Sequence, residues 1–255
     1  MKFIIFLVAT AITANLFGQD KQKETPTDDF KKVQIGVNFS PDYCFRLLKN
    51  NDGTSSSDLV IESRNGNETG KLGFTTGLNV IFNLKKNIGI EVGVQYSNKG
   101  YQTKMQDLTF GSIIDPRHGF VYNTSGKTPT RGKFVYNAYY IDIPLKVNYI
   151  IGNKRIRFIA SAGVTTNIFI KETSKSILEY DDGTTDKNTQ STDNGYNKIN
   201  VSPIVSVGID WKFKSRANLR IEPTFRYGVL KIINAPVTGY LWNAGLNISY
   251  YLGLK

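Results

Sequence analysis

The sequence predicts an all-β fold: an eight-stranded antiparallel up-and-down transmembrane β-barrel with short periplasmic turns and long extracellular loops. Three observations lead there. From Lys32 onward, apolar residues return at every second position, the period of a strand with two unlike faces. Very short connections alternate with long ones, the layout of an outer-membrane barrel. The face opposite the apolar one carries glycine, asparagine and charge, which suits a narrow polar interior and leaves the apolar face for lipid. A soluble barrel of this size would invert that polarity.

The strands follow in order. The first covers about 32–40, with Val33, Ile35, Val37 and Phe39 on one face. The second, about 72–84, ends Leu78, Val80, Phe82, Leu84, and the third, about 88–102, carries Ile88, Ile90, Val92, Val94 and Tyr96. The fourth, about 137–150, reads Tyr139, Ile141, Ile143, Leu145, Val147, Tyr149. The fifth spans about 155–171, the sixth about 198–213, the seventh about 219–232 and the eighth about 240–252. Short turns fall at 85–87, 151–155 and 214–218, and long connections at 41–71, 103–136 and 172–197, with a shorter one at 233–239. With eight strands, both chain ends fall on the short-turn side. No stretch of the mature chain has 18 consecutive apolar residues, and no 3.6-residue stripe stands out, so no helix is expected. Pro144 faces inward in mid-strand and Pro203 and Pro223 face outward. A ring has no edge to hold them, so each is expected at a bulge or at the rim.

The inward face supplies Glu91, Asp142, Asp210 and Glu222 against Lys146, Arg157, Lys212, Arg220 and Arg226. Opposite charges in a crowded interior must pair, so these residues are expected to form a structural ion-pair network that fills the lumen. The apolar face carries aromatics near the strand ends: Tyr149, Trp211, Phe213 and Tyr250 towards the short turns, and Tyr96, Tyr139, Tyr227, Tyr240 and Trp242 towards the long loops. Two aromatic girdles flanking an aliphatic band mark a lipid-facing surface.

The N-terminus places the chain outside the cytoplasm. "MKFIIFLVATAITANLFGQD" has Lys2, an apolar run from Phe3 to about Ala14, and small Gly18 before the polar residues. That is the layout of a secretory signal peptide, residues 1–18, cut after Gly18, with 19–31 as a flexible periplasmic lead-in and 32–255 as the barrel. The net charge of +11 could suggest nucleic acid, but export argues against that partner, and the basic residues are read as scattered over turns and loops. One cysteine, Cys44, excludes an internal disulfide and a cysteine metal cluster.

Catalytic signals are sparse. A hydrolase needs a base, and the single histidine, His118, lies in a long loop with Asp115 and Ser112 nearby. "SGKT" (125–128) lacks the first phosphate-loop glycine, since position 121 is Val121. "EYDDGTTD" (179–186) is acidic but lacks calcium-loop spacing. No catalytic residue, cofactor or metal is therefore expected.

The signal peptide, the eight strands and "YYIDIPLKVNY" (139–149) resemble the outer-membrane β-barrel proteins of Bacteroidetes, the group that includes PorT-like proteins. In that family an aromatic-x-Ile-Pro-Leu-x-x-x-Tyr strand recurs; here Ile143-Pro144-Leu145 and Tyr149 fit it, with Tyr140 one place further from the isoleucine, and "GLNISYYL" (245–252) suits the closing strand. The resemblance implies outer-membrane residence and, for PorT itself, a part in secretion and gliding. The leading expectation is a monomeric, non-enzymatic barrel that contacts outer-membrane lipids and has a structural or surface-interaction role through its extracellular loops, with secretion or surface proteins as candidate partners. A secretion component or assembly factor and a lipid-modifying enzyme are the alternatives.

Overall fold

The computed structural model describes residues 31–108, 128–192, 195–214 and 216–254. The expected signal peptide and most of the lead-in lie outside them, as do His118, Asp115 and Ser112. The elements are β1 (Val33–Asn50), α1 (Ser55–Asn67), β2 (Glu68–Thr69), β3 (Lys71–Lys85), β4 (Ile88–Thr103) and β5 (Gln106–Asp107). They continue with β6 (Pro129–Ile151), β7 (Ile156–Tyr180), β8 (Thr185–Thr192), β9 (Ile199–Lys214), β10 (Ala217–Tyr227) and β11 (Val237–Gly253).

The fold is an all-β, antiparallel, up-and-down, barrel-like sheet. Its order is β2-β4-β3-β1-β11-β10-β9-β7-β6-β5, β8 pairs with β7, and β4 also pairs with β6. The long strands therefore follow one another as neighbours, and β1 meets β11 from Gln34↔Gly253 to Asn50↔Val237.

Burial is inverted relative to a water-soluble protein. Along β6, Ile143, Leu145, Val147 and Tyr149 are exposed, whereas Asp142, Pro144, Lys146 and Asn148 are buried. The same alternation runs along β1, where Val37 is 53% exposed and its neighbour Asn38 only 4%. Such strands bury their polar rows against one another and offer the aliphatic rows to whatever surrounds them. The inward row also includes Ile81, Ile150, Ile159 and Ile204, all buried. Tyr251 is wholly buried, and its ring lies where a side chain on Gly36, its register partner, would collide with it.

The expected boundaries need four corrections. First, several strands run further than expected at the long-connection end. β1 continues through Pro41 to Asn50, β6 begins at Pro129, and β7 reaches Tyr180 before β8 returns as a hairpin from Thr185 to Thr192. Second, the connection 41–71 contains a helix, α1. It lacks an apolar stripe and is defined by its ends instead. The Thr54 side chain caps it by accepting from the Ser57 backbone N–H at 3.3 Å, with Asp58 in the first turn and Arg64 in the last. Third, the seventh strand stops at Tyr227, because residues 228–236 fold across the end of the sheet.

The fourth correction concerns the prolines. Pro144 and Pro223 sit inside regular strands rather than at bulges, and each leaves a gap in one ladder only. β4–β6 pairing passes from Val92↔Leu145 to Gln95↔Asp142, skipping Pro144, while Pro144↔Thr165 is kept on the other side. β9–β10 pairing passes from Ile221↔Ile209 to Thr224↔Ser206, skipping Pro223, while Pro223↔Leu246 is kept. A missing N–H costs one ladder bond and leaves the opposite ladder intact. Pro203 likewise keeps one ladder, pairing with Val164 well inside the β7–β9 ladder, while β9–β10 pairing ends at Ile204 beside it.

Candidate functional site

Five charged side chains form a continuous chain across the interior near the short-turn end. Lys146 Nζ on β6 lies 2.7 Å from Glu91 Oε1 on β4. Arg220 on β10 lies between Glu91 Oε2, 3.7 Å from its Nη1, and Asp210 Oδ1, 2.8 Å from its Nε. Asp210 on β9 also accepts from Arg157 Nε on β7 at 2.9 Å. Asn148 donates to Glu91 at 2.8 Å, Asn218 donates to Asp210 at 3.2 Å, and the Arg220 guanidinium rests 4.8 Å from the Tyr251 ring centre. Alternation places each of these residues inward, the register pairs Glu91 with Lys146 and Asp210 with both Arg157 and Arg220, and Arg220 meets Glu91 across the interior.

The other expected interior residues divide. Glu222 is buried and accepts from Ser206 at 2.9 Å and Ser161 at 3.1 Å. Arg226 pairs with Asp42, 3.4 Å away, and Asp142 pairs with Lys99, 3.0 Å away. Lys212 differs from the expectation: it shares a face with buried Asn218, its register partner, but sits at the rim and is exposed.

Asp42 and Lys99 were missed, although both keep the parity of their inward neighbours. Asp42 follows Asn38 and Ser40 beyond Pro41, where the sequence reading ended the first strand. Lys99 follows Glu91 and Gln95 on β4. Asp42 gathers Ser40 at 2.6 Å, Thr75 at 2.6 Å and Asn243 at 3.0 Å. Asp142 accepts from Asn167 at 2.7 Å, and Asn167 in turn accepts from Ser202 at 2.6 Å.

An apolar layer lies beyond these pairs, towards the long-connection end. Ala138, Tyr140, Tyr196, Ile232 and Leu241 are buried together, with Phe169 and Ile233 against them. Phe169 meets Tyr196 at 5.1 Å between ring centres and Tyr140 at 5.6 Å. Residues 228–236 carry Ile232 into this layer, held by Asn197 N–H to Ile232 C=O at 2.8 Å and Ile232 N–H to Gly239 C=O at 2.9 Å.

Above the layer opens a cavity of about 790 Å3, lined by α1, Tyr101, Tyr136, Tyr196, Glu172 and the segment Ile232–Val237. Arg46 forms an ion pair with Glu68 at its wall and stacks 3.6 Å from the Tyr101 ring centre. Tyr136 lies against Tyr101, with 4.8 Å between ring centres.

Aromatic side chains cluster towards both ends of the strands. Trp211 meets Phe213 at 5.9 Å and Phe213 meets Tyr250 at 5.8 Å near the short turns, where Tyr149 is also exposed. At the other end Tyr96 stacks on Tyr139 at 5.9 Å and Tyr227 on Tyr240 at 6.4 Å. Trp242 gathers Tyr43, Phe45 and Phe225, of which the first two lie in the unforeseen part of β1.

The weaker candidates separate cleanly. Cys44 is wholly buried within β1 rather than just past it. The acidic segment 179–186 uses its carboxylates locally: Asp182 accepts from Thr184, Asp186 from the Tyr180 hydroxyl and Asp181 from the Thr128 N–H. Among the described residues no group of three or more metal-ligating side chains converges.

An antiparallel up-and-down sheet with an aliphatic exterior, two aromatic belts and an ionic interior defines the class of outer-membrane β-barrel proteins. Residues 17–234 match the family of the outer membrane protein beta-barrel domain, and the chain belongs to that family. Similar solved structures include OprG from Pseudomonas aeruginosa, 12% identical, with 88% of this chain and 97% of that chain covered at a TM-score of 0.47. Neisserial surface protein A is 9% identical, with 88% and 97% covered at 0.42. The outer membrane protease OmpT from Escherichia coli is 9% identical, with 91% and 100% covered at 0.43. None of the curated proteins matches the chain.

Proposed function

We propose that β1, β3, β4, β6, β7, β9, β10 and β11 close into an eight-stranded transmembrane ring. The ring is plugged by its own side chains and acts at the cell surface through its long-connection end. Each of these strands pairs with two others of the set, as hydrocarbon demands, since an unpaired backbone amide there costs several kcal/mol. Eight strands leave an interior that side chains can fill. Residues 1–18 serve as the signal peptide that delivers the chain, 19–31 as the lead-in, and the barrel is a monomer without enzymatic activity.

The observation that carries this reading is the filled bore. The chain Lys146–Glu91–Arg220–Asp210–Arg157 crosses it, and the Tyr140–Tyr196–Ile232 layer lies over it. Interaction area is concentrated at one end, where α1 and the β7–β8 hairpin project and the cavity opens, while among the described residues the other end carries short turns.

Purified barrel in a planar bilayer is expected to give no steady conductance. A large, persistent open level would contradict the plug. Cross-linking on intact cells reads the partner. Capture of surface-exposed proteins through the β7–β8 hairpin supports the surface role. Capture of export machinery instead would favour the secretion role that the PorT-like resemblance implies.

A further inference from the structure

The short-turn rim is a ring of positive charge. Lys32, Lys85, Lys86, Lys154, Arg155 and Arg216 are all exposed there. The segments 31–34, 84–89, 151–156, 211–217 and 251–255 contain no aspartate or glutamate. The opposite end is mixed, with Asp52, Asp58, Glu62, Asp107, Glu179 and Asp181 among its bases. The excess of basic residues is therefore concentrated at one end rather than scattered over all the connections.

Backbone bonds hold these segments side by side. Lys32 C=O accepts from Asn83 at 2.8 Å, Asn87 from Ile150 at 2.8 Å, Arg155 from Lys212 at 2.9 Å, Arg216 from Gly253 at 2.7 Å and Val33 from Leu254 at 2.9 Å. The basic side chains thus leave a fixed perimeter, one step beyond the belt of Tyr149, Trp211, Phe213 and Tyr250. In a bilayer that belt sits at head-group level, and Lys or Arg just beyond it reaches phosphate while its stem stays on the apolar wall.

We propose that this rim is a docking ring for the head groups of anionic phospholipids in the leaflet it borders, anchoring the barrel's depth and tilt. The inference rests on the membrane-spanning reading above. Its partner follows from charge complementarity and from continuity with the aromatic belt. An anionic surface attracts each basic residue held close to it, and several on one perimeter act together.

The test uses the mature chain, so that Asp28 and Asp29 of the lead-in are present. Barrel is folded into vesicles of phosphatidylcholine mixed with phosphatidylglycerol, released into mild detergent, and its retained lipids are counted by native mass spectrometry. Phosphatidylglycerol should be retained about tenfold over its share of the mixture. The preference should vanish in a variant carrying Lys85→Gln, Lys86→Gln, Lys154→Gln and Arg155→Gln. Equal retention of the two lipids, or a preference that survives in the variant, would overturn the proposal. So would equivalent capture of inorganic phosphate, which would make the rim a general anion site. Wild type and variant are first compared in phosphatidylcholine alone by the gel shift between heated and unheated samples. If both insert there, a negative lipid count refutes the docking ring alone. If neither inserts, the transmembrane reading fails and takes the ring with it.

Discussion

Replacing Arg220 with leucine is expected to destabilise the barrel by about 3–5 kcal/mol, the cost of removing the cation that two buried carboxylates share. Arg220 is wholly buried and joins two carboxylates, so its loss leaves Asp210 with Arg157 and Glu91 with Lys146. Each residual pair is off-centre in a space the guanidinium had filled, and Tyr251 loses the cation over its ring. Urea unfolding of the barrel in vesicles, followed by the fluorescence of Trp211 and Trp242, measures the effect. A loss below about 1 kcal/mol would mean that water or ions reach this network freely and that the bore is not filled.

Val207→Lys should cost about 2–4 kcal/mol in a bilayer. Val207 is 62% exposed and lies between Trp211, in one aromatic belt, and Val201 near the other end of β9. A lysine there must hold its ammonium in hydrocarbon or thin the membrane to reach water. The same substitution on a water-facing strand would change stability by no more than about 0.5 kcal/mol. The two environments are thus separated by several-fold in effect. Val207→Leu should be close to neutral, which shows that charge rather than disturbance of the strand is responsible.

Most of the transmembrane part was legible because its two faces meet two solvents, and alternation records that difference residue by residue. The legibility ends where the second solvent ends. Beyond the upper aromatic belt, β8 reads Thr185-Asp186-Lys187-Asn188-Thr189-Gln190, exposed throughout, so no face is selected and no period is written. α1 has the same difficulty. Its signals are the Thr54 cap and the charges of its end turns, not an apolar stripe. The first strand was expected to end at about 40, yet it runs on through Pro41, which keeps its pairing with Phe74 and interrupts only the ladder to β11.

The inward charges of the expected strands were legible but their partners were not, and Asp42 and Lys99 stood outside the expected set. Alternation says that Arg226 and Asp42 both point inward. Only the meeting of β1 with β11, and of β11 with β10, brings them together from opposite ends of the chain. The apolar layer was hidden for a related reason. Tyr140 and Tyr196 lie where polar residues were expected, and they meet only because residues 228–236 turn back across the mouth.

The direct measurement is nitroxide scanning along β9 in a Cys44→Ser background, with the barrel in a bilayer. Labels at Val205, Val207 and Ile209 should relax strongly with oxygen, which dissolves in acyl chains, and weakly with a water-soluble nickel complex. A label at Ser206 should respond to neither. Outward labels that answer to nickel in preference to oxygen would mean that the aliphatic rows face water, and the assignment of the two faces would be wrong.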